Sequence, residues 1–242
     1  MNAEALIQPA LPRRLLSEFL GTGLLVAVVV GSGIAASRLS PDDVGLQLLE
    51  NSIATALGLG VLIAVLAPIS GAHFNPVVTL ALLALAPRGH RDAVPSVAYV
   101  VAQIAGAIGG AVLANAMFGV PTAIATTERA WPGALLGEVG ATAGLVLVIV
   151  LLVAADRAAL VPLAVAAWIG SAYWFTSSTS FANPAVTIGR VFSDTFAGVA
   201  PASVAPFIAA QLLGAALGVA IAVALGATAR SAAAALPTTQ HP

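Results

Sequence analysis

The chain has 242 residues, 60 % hydrophobic and 8 % charged, with nine Arg, no Lys, ten acidic residues and no Cys. A soluble domain carries roughly 25 % charged residues, so this balance excludes an ordinary water-exposed surface and marks a membrane protein. Near-neutral charge without a basic cluster leaves nothing to neutralise phosphates, which excludes nucleic acid as a partner, and the lack of Cys excludes disulfides, thiolate metal sites and Cys nucleophiles.

A spanning helix needs about 20 mostly apolar residues. Six stretches qualify, at about 13–37, 45–67, 95–118, 133–155, 159–176 and 203–228, so a helical bundle is expected. Arg13 and Arg14 introduce the first stretch, which is too long for a signal-peptide core and shows no small-residue cleavage site, so it is expected to remain as a span. Two further apolar segments, 75–86 and 183–192, are too short to cross. Each opens with Asn-Pro, a helix start in which Asn caps free N–H groups and Pro presets φ at the first helical position, so both are expected to be half-helices. A short Ala-rich tail over 230–242 carries no targeting signal. With a cytoplasmic N-terminus, Arg13, Arg14, Arg88, Arg91, Arg157 and Arg230 lie inside and Arg38, Arg129 and Arg190 outside, the sense that the positive-inside rule favours. Both termini are then cytoplasmic.

The half-helices belong to a repeat. Asn75 to Asn183 is an offset of 108, shared by Gln103 and Gln211, Gly106 and Gly214, and Gly110 and Gly218. Glu18-x-x-x-Thr22 recurs as Glu138-x-x-x-Thr142 at an offset of 120. Each copy (about 13–118 and 133–229) holds three spans, an odd number, so the second copy is inverted in the membrane relative to the first. The half-helices then enter from opposite faces and bring their Asn-Pro ends together near the midplane. Non-helical backbone at that depth survives only where it lines a wet cavity or is buried in protein, so a central water-filled path is expected.

Asn75 and Asn183 would offer N–H donors to a small polar solute. The backbone leading in, at Gly71, Ala72 and His73 and at 179–182 including Phe181 and Ala182, would offer carbonyl acceptors. Two helix N-termini aimed at one point place partial positive charge there, which disfavours cations and breaks a proton wire. Glu18 and Glu138 each cost at least about 2.5–3.5 kcal/mol near a helix centre, so each is expected to face the bundle interior and accept hydrogen bonds. His73 reads as a loop-bracing or pore-lining imidazole, because no second His lies near it in sequence to form a metal site. Gly106-x-x-x-Gly110 and Gly214-x-x-x-Gly218 read as close helix contacts. Tyr173 and Trp174 read as an interfacial belt, with the pore rim as the alternative.

Ser70-Gly71-Ala72-His73-Phe74-Asn75-Pro76-Val77-Val78-Thr79 and Phe181-Ala182-Asn183-Pro184-Ala185 closely resemble the twin Asn-Pro-Ala boxes of the aquaporin and aquaglyceroporin family. The resemblance covers almost the whole chain, including the membrane Glu of spans one and four and the Gln-x-x-Gly of spans three and six. It implies an all-α membrane fold of six tilted helices and two re-entrant half-helices around a narrow pore. It also implies a homotetramer with one pore per subunit, no cofactor, a bacterial inner-membrane location, and glutamates that brace the re-entrant loops.

The second box departs from the family's pattern, which continues with Arg; here that position is Val186. An aliphatic side chain removes a cation barrier and much of the steric narrowing at the constriction. Counting back from Asn183 puts Ser180 on the loop facing the filter and Gly170 or Ser171 on span five. On span two an ungapped count gives Thr55 and the Ala-Leu-Gly-Leu-Gly run gives Leu57, the preferred assignment. All of these candidates are small or aliphatic, which implies a filter wider than those of water- or glycerol-selective members. The segment from Thr176 through Val186 to Arg190 looks like bacterial aquaglyceroporins of arsenic-resistance operons, which implies neutral trihydroxyarsenic and small methylated arsenicals as permeants. Arg190, one turn beyond Val186, is read either as a displaced charge in the outer vestibule or, preferentially, as an i,i+4 partner of Asp194.

The expected function is a passive channel for small uncharged solutes. Inverted repeats with broken helices also build ion-coupled transporters, the alternative reading, but those place ionisable groups centrally where this chain has two amides. An intramembrane enzyme would need a nucleophile with a positioned base or a metal cluster, and neither pattern is found.

Overall fold

Apolar length and proline punctuation set the elements of the computed structural model, which describes residues 9–87 and 91–227. Six long helices, α1 (Leu11–Leu39), α2 (Val44–Ser70), α4 (Ala93–Met117), α5 (Pro132–Ala154), α6 (Val161–Phe175) and α8 (Pro201–Ala224), are joined by two short ones, α3 (Pro76–Leu85) and α7 (Pro184–Gly189). The six are long and apolar enough to cross a membrane. Six of the eight helices carry Pro at one of their first two positions, where its missing N–H costs nothing. Asp43 and Asp92 cap α2 and α4, accepting from the N–H groups of Leu46 and Val94. Arg88, Arg230 and the 230–242 tail lie outside the described residues.

The two copies of the repeat pack alike. α1 lies against α4, and α5 against α8. At Gly106 an added Cβ would sit 2.2 Å from the Phe19 carbonyl oxygen, and at Gly110 it would sit 2.0 Å from that of Gly23. At Gly214 and Gly218 it would sit 2.5 Å from the carbonyl oxygens of Val139 and Ala143. The struck residues differ by 120 positions and the glycines by 108, the two offsets of the sequence repeat. Only glycine permits this approach of backbone to backbone, and the approach fixes each Gln of these helices beside the Glu of its neighbour.

The bundle's outer face is apolar. On α2, Leu46, Leu49, Ile53, Leu57, Val61 and Val65 recur at helical spacing and are all exposed. α2 packs against α6, and the two, with α1, α5 and the half-helices, wall a lumen.

Gly109, adjacent to Gly110, faces open space. Gly110→Ala is therefore expected to destabilise the detergent-solubilised protein by about 1–3 kcal/mol, and Gly109→Ala to leave its thermal unfolding unchanged. Equal effects of the two substitutions would contradict this packing.

Candidate functional site

Between each long helix and its half-helix the chain must run non-helically through the protein centre. It does so through left-handed residues: Gly71, Ala72 and Phe74 in the first loop, and Thr179, Ser180 and Ala182 in the second. A non-Gly residue in this region costs of order 1–3 kcal/mol and persists only where its surroundings over-determine it. The surroundings are the two carboxylates. Glu18 accepts from the N–H groups of His73 (3.0 Å) and Phe74 (2.7 Å), from the Ser70 hydroxyl (2.7 Å) and from Gln103 Nε2 (2.7 Å). Glu138 accepts from the N–H groups of Phe181 (2.9 Å) and Ala182 (2.8 Å) and from Gln211 Nε2 (2.7 Å), with Ser178 as a further partner. Both are fully buried and lie behind the loops, off the lumen, in the bracing role that the resemblance implies.

Thr79 and Thr187 complete each brace, and the sequence reading leaves them aside. Each hydroxyl donates to the carbonyl of its own Asn and accepts from the Gln (Gln103 at 3.1 Å, Gln211 at 2.9 Å). The signal for them is Asn-Pro-x-x-Thr, repeated at the same offset of 108. His73 joins the first brace through Nδ1 and the Thr79 hydroxyl at 3.0 Å, and its ring meets Tyr99 edge-on.

The two Asn side chains lock the halves together. Asn75 Oδ1 accepts from the Val77 N–H, and Asn183 Oδ1 accepts from those of Ala185 and Val186. Asn75 Nδ2 donates across to the Ala182 carbonyl at 2.7 Å, and Asn183 Nδ2 to the Phe74 carbonyl at 2.8 Å. One hydrogen of each Nδ2 is thereby committed, and both Asn line the lumen. Pro76, Val77, Pro184 and Ala185 are buried away from the lumen; Val77 belongs to an apolar cluster with Val146 and Ala215, which accommodates a residue larger than Ala.

A cavity of about 560 Å³ lies at this centre. Gly71, Ala72, His73, Asn75, Ser180, Phe181, Ala182, Asn183, Val186 and Arg190 all line it, joined by apolar side chains such as Leu25, Leu59, Val78, Leu145 and Val165. Three expectations are corrected. Leu57 points outward and is 67 % exposed; Thr55, two residues earlier, is buried and lines the lumen, so the ungapped count is the right register. Gly170 packs against Ala56, and Ser171 is exposed with its hydroxyl on the Ala167 carbonyl, so neither faces the lumen. α6 presents Ile169 and Tyr173 instead, and Tyr173 is 4 % exposed with its hydroxyl 3.0 Å from Thr55 Oγ1. Trp174, by contrast, is exposed as a belt residue should be, with Nε1 donating to Ser52.

The third correction concerns Arg190. Asp194 accepts from the N–H and hydroxyl of Thr126 rather than pairing with Arg190. α7 stops at Gly189 and the chain tightens into a 3₁₀ turn, Arg190–Phe192, which turns the arginine inward. Arg190 is 4 % exposed, donates through Nε to the Ala197 carbonyl, and stacks with its Cζ 3.5 Å from the Phe181 ring centre. Arg129, in the segment between α4 and α5, lies 5.8 Å from the same ring centre and donates to the carbonyls of Gly198 (2.7 Å) and Phe196 (2.8 Å). Burial pushes the Arg129 guanidinium below its ordinary value, with Tyr173 acting in the opposite direction. The lumen therefore contains an arginine and an aromatic, Arg190 and Tyr173, each in line with the alternative rather than the preferred reading of the sequence.

Two half-helices that meet at a lumen lined by their Asn side chains and loop backbone are the arrangement of a membrane channel. The chain belongs to the major intrinsic protein family, whose model matches residues 6–178. It is 48 % identical over 206 residues to the aquaglyceroporin AqpS of Rhizobium meliloti (strain 1021), covering 85 % of this chain and 86 % of that protein. A propanediol uptake facilitator, PduF of Citrobacter freundii, is 40 % identical over 110 residues, 46 % of this chain and 39 % of that one. Among solved structures, the aquaglyceroporin from Plasmodium falciparum superposes with a TM-score of 0.65 at 22 % identity, over 88 % of this chain and 95 % of that one, a likeness of fold.

The corrected register has a direct check in solute flux. Thr55→Phe is expected to cut glycerol permeability of proteoliposomes by about tenfold or more, because the bulk enters the lumen. Leu57→Phe is expected to leave it unchanged, and the opposite ranking would restore Leu57 to the filter.

Proposed function

We propose that this protein is a passive channel for water and small neutral polyols of the glycerol and propanediol kind. The observation that carries the reading is the composition of the lumen: two carboxamides at its centre, no carboxylate among its described lining residues, and apolar wall opposite the carbonyl-bearing loops. A polyol can turn its hydroxyls to the loops and its CH groups to the wall. A carrier coupled to protons or sodium would need ionisable or ion-coordinating groups at that centre.

The permeant set extends to neutral trihydroxyarsenic and small methylated arsenicals. Val186 supports this, because an aliphatic side chain at the position next to the second Asn-Pro-Ala leaves width for a solute larger than water. Val186 and Ser180 from the second loop, with Thr55 and Tyr173 in place of Leu57 and of Gly170 or Ser171, are the proposed filter. The channel assembles as a homotetramer with one pore per subunit and sits in the inner membrane with both termini cytoplasmic. The exposed apolar stripe of α2 supports a face for lipid or for a neighbouring subunit, and the Arg distribution supports the orientation.

The test is stopped-flow light scattering on proteoliposomes at matched protein density, comparing water, glycerol and neutral arsenite for the wild type and Val186→Arg. The wild type is expected to pass all three without a proton or sodium gradient, and Val186→Arg to lose the larger two while keeping water. A wild type that passes only water overturns the wide filter; flux that requires an ion gradient overturns the channel.

A further inference from the structure

We infer that Ser52 and Trp174, which lie outside the lumen, are positioning residues for the pore: their hydrogen bond fixes the end of α6 and so holds the Tyr173 ring against the lumen wall. The inference rests on the proposed filter, in which Tyr173 takes part. Gly170 faces α2, since a Cβ there would fall 3.2 Å from that of Ala56. Tyr173 and Trp174 follow it by three and four residues, so in a helix of 3.6 residues per turn they flank the line of contact on opposite sides. Both reach α2. The Tyr173 hydroxyl lies 3.0 Å from Thr55 Oγ1 on the lumen side. Trp174 Nε1 donates to Ser52 Oγ at 3.2 Å on the other side, where the indole is half exposed. Ser52 donates its own proton to the Leu49 carbonyl at 2.9 Å, which leaves its oxygen as the acceptor for the indole.

Among the described residues these are the two hydrogen bonds that join α2 to α6. Elsewhere the seam is small and apolar, as at Gly60, where a Cβ would fall 3.2 Å from that of Ala166. Contacts of that kind set how near the helices come but leave α6 free to turn about its axis. The flanking hydrogen bonds oppose that turn, because rotation in either sense stretches one of them. A turn of about 20° carries a side-chain tip about 2 Å at the helix's outer radius of about 5–6 Å, enough to break a hydrogen bond. Tyr173 is buried and lines the lumen, so the free volume beside its ring is the lumen itself. A ring that enters it obstructs a polyol more than it obstructs water. Ser52 and Trp174 therefore act on solute size without touching the solute. An indole that merely anchored α6 in the bilayer interface would leave solute preference unchanged.

The experiment uses the full-length protein in liposomes and reads the ratio of glycerol to water permeability, which does not depend on how many channels have folded. Trp174→Phe removes the indole N–H and keeps an aromatic ring, and Ser52→Ala removes the acceptor. Each is expected to lower the ratio about fivefold, the population shift that one hydrogen bond of ordinary net strength supports. The double variant is expected to match the single ones, because both remove the same bond. On a Tyr173→Ala background, Trp174→Phe is expected to change the ratio no further. An unchanged ratio in either single variant overturns the inference. So does a double variant whose loss is the product of the two, since the residues would then act separately. A Trp174→Phe effect that persists without the Tyr173 ring also overturns it, because some other group would then narrow the lumen. A wild type that passes water but no glycerol is a distinct outcome: it overturns the proposed function first, and the inference with it.

Discussion

Two carboxylates at the heart of an apolar bundle are the constraint on which everything else depends. A backbone that leaves helical geometry at membrane depth exposes N–H and C=O groups that neither lipid nor apolar side chains can satisfy. Glu18 and Glu138 take the N–H groups of their loops, and in doing so turn the loop carbonyls and the Asn amides toward the centre. The charge and its four hydrogen bonds solve each other's problem: the carboxylate would be costly without the donors, and the left-handed loop would relax without the carboxylate. Gln103 and Gln211 tie each Glu to a neighbouring helix, which is why the helices must approach at Gly106, Gly110, Gly214 and Gly218.

The same constraint explains what was legible in the sequence. Asn-Pro, Glu, Gln and the close-contact glycines are each required by the loop architecture, and each occurs twice. The Asn-Pro segments therefore mark the two half-helices, the offsets of 108 and 120 mark a repeat, and the family resemblance implies the bracing role of the glutamates. The register of α2 and α6 was not legible in the same way. Both faces of these helices are apolar, one toward lipid and one toward the lumen, so hydrophobic periodicity carries no phase. Matching the Ala-Leu-Gly-Leu-Gly run chose Leu57, and only the Thr55–Tyr173 hydrogen bond fixes the phase. Tyr173 carried the same ambiguity as any aromatic near a helix end, since belt and lumen differ by a rotation of the helix.

The preferred reading of Arg190 as a partner of Asp194 failed for a different reason. Its i,i+4 relation to Asp194 presumes an α-helix that continues, but α7 ends after six residues and the chain tightens to three residues per turn. The change of pitch turns the arginine toward the lumen and frees Asp194 for Thr126. Nothing local announces it, because the tightening is set by tertiary partners: the carbonyls of 196–198, the Phe181 ring and Arg129.

A consequence for selectivity follows from where the polar groups stand. The lumen is lined by the Asn pair and by Arg190, with aliphatic side chains such as Leu59, Val78 and Leu145 along its wall. A solute passing as proposed would exchange hydration for the Asn amides and the loop carbonyls. That exchange favours molecules with an oxygen-rich face and a carbon face over fully hydrated ions, independently of the width at Val186. A single arginine at the narrowest ring couples size to charge, so that widening the ring also weakens its charge barrier. Here Arg190 lies one turn beyond Val186, against Phe181 and the Ala197 carbonyl, so the two positions are held by different contacts.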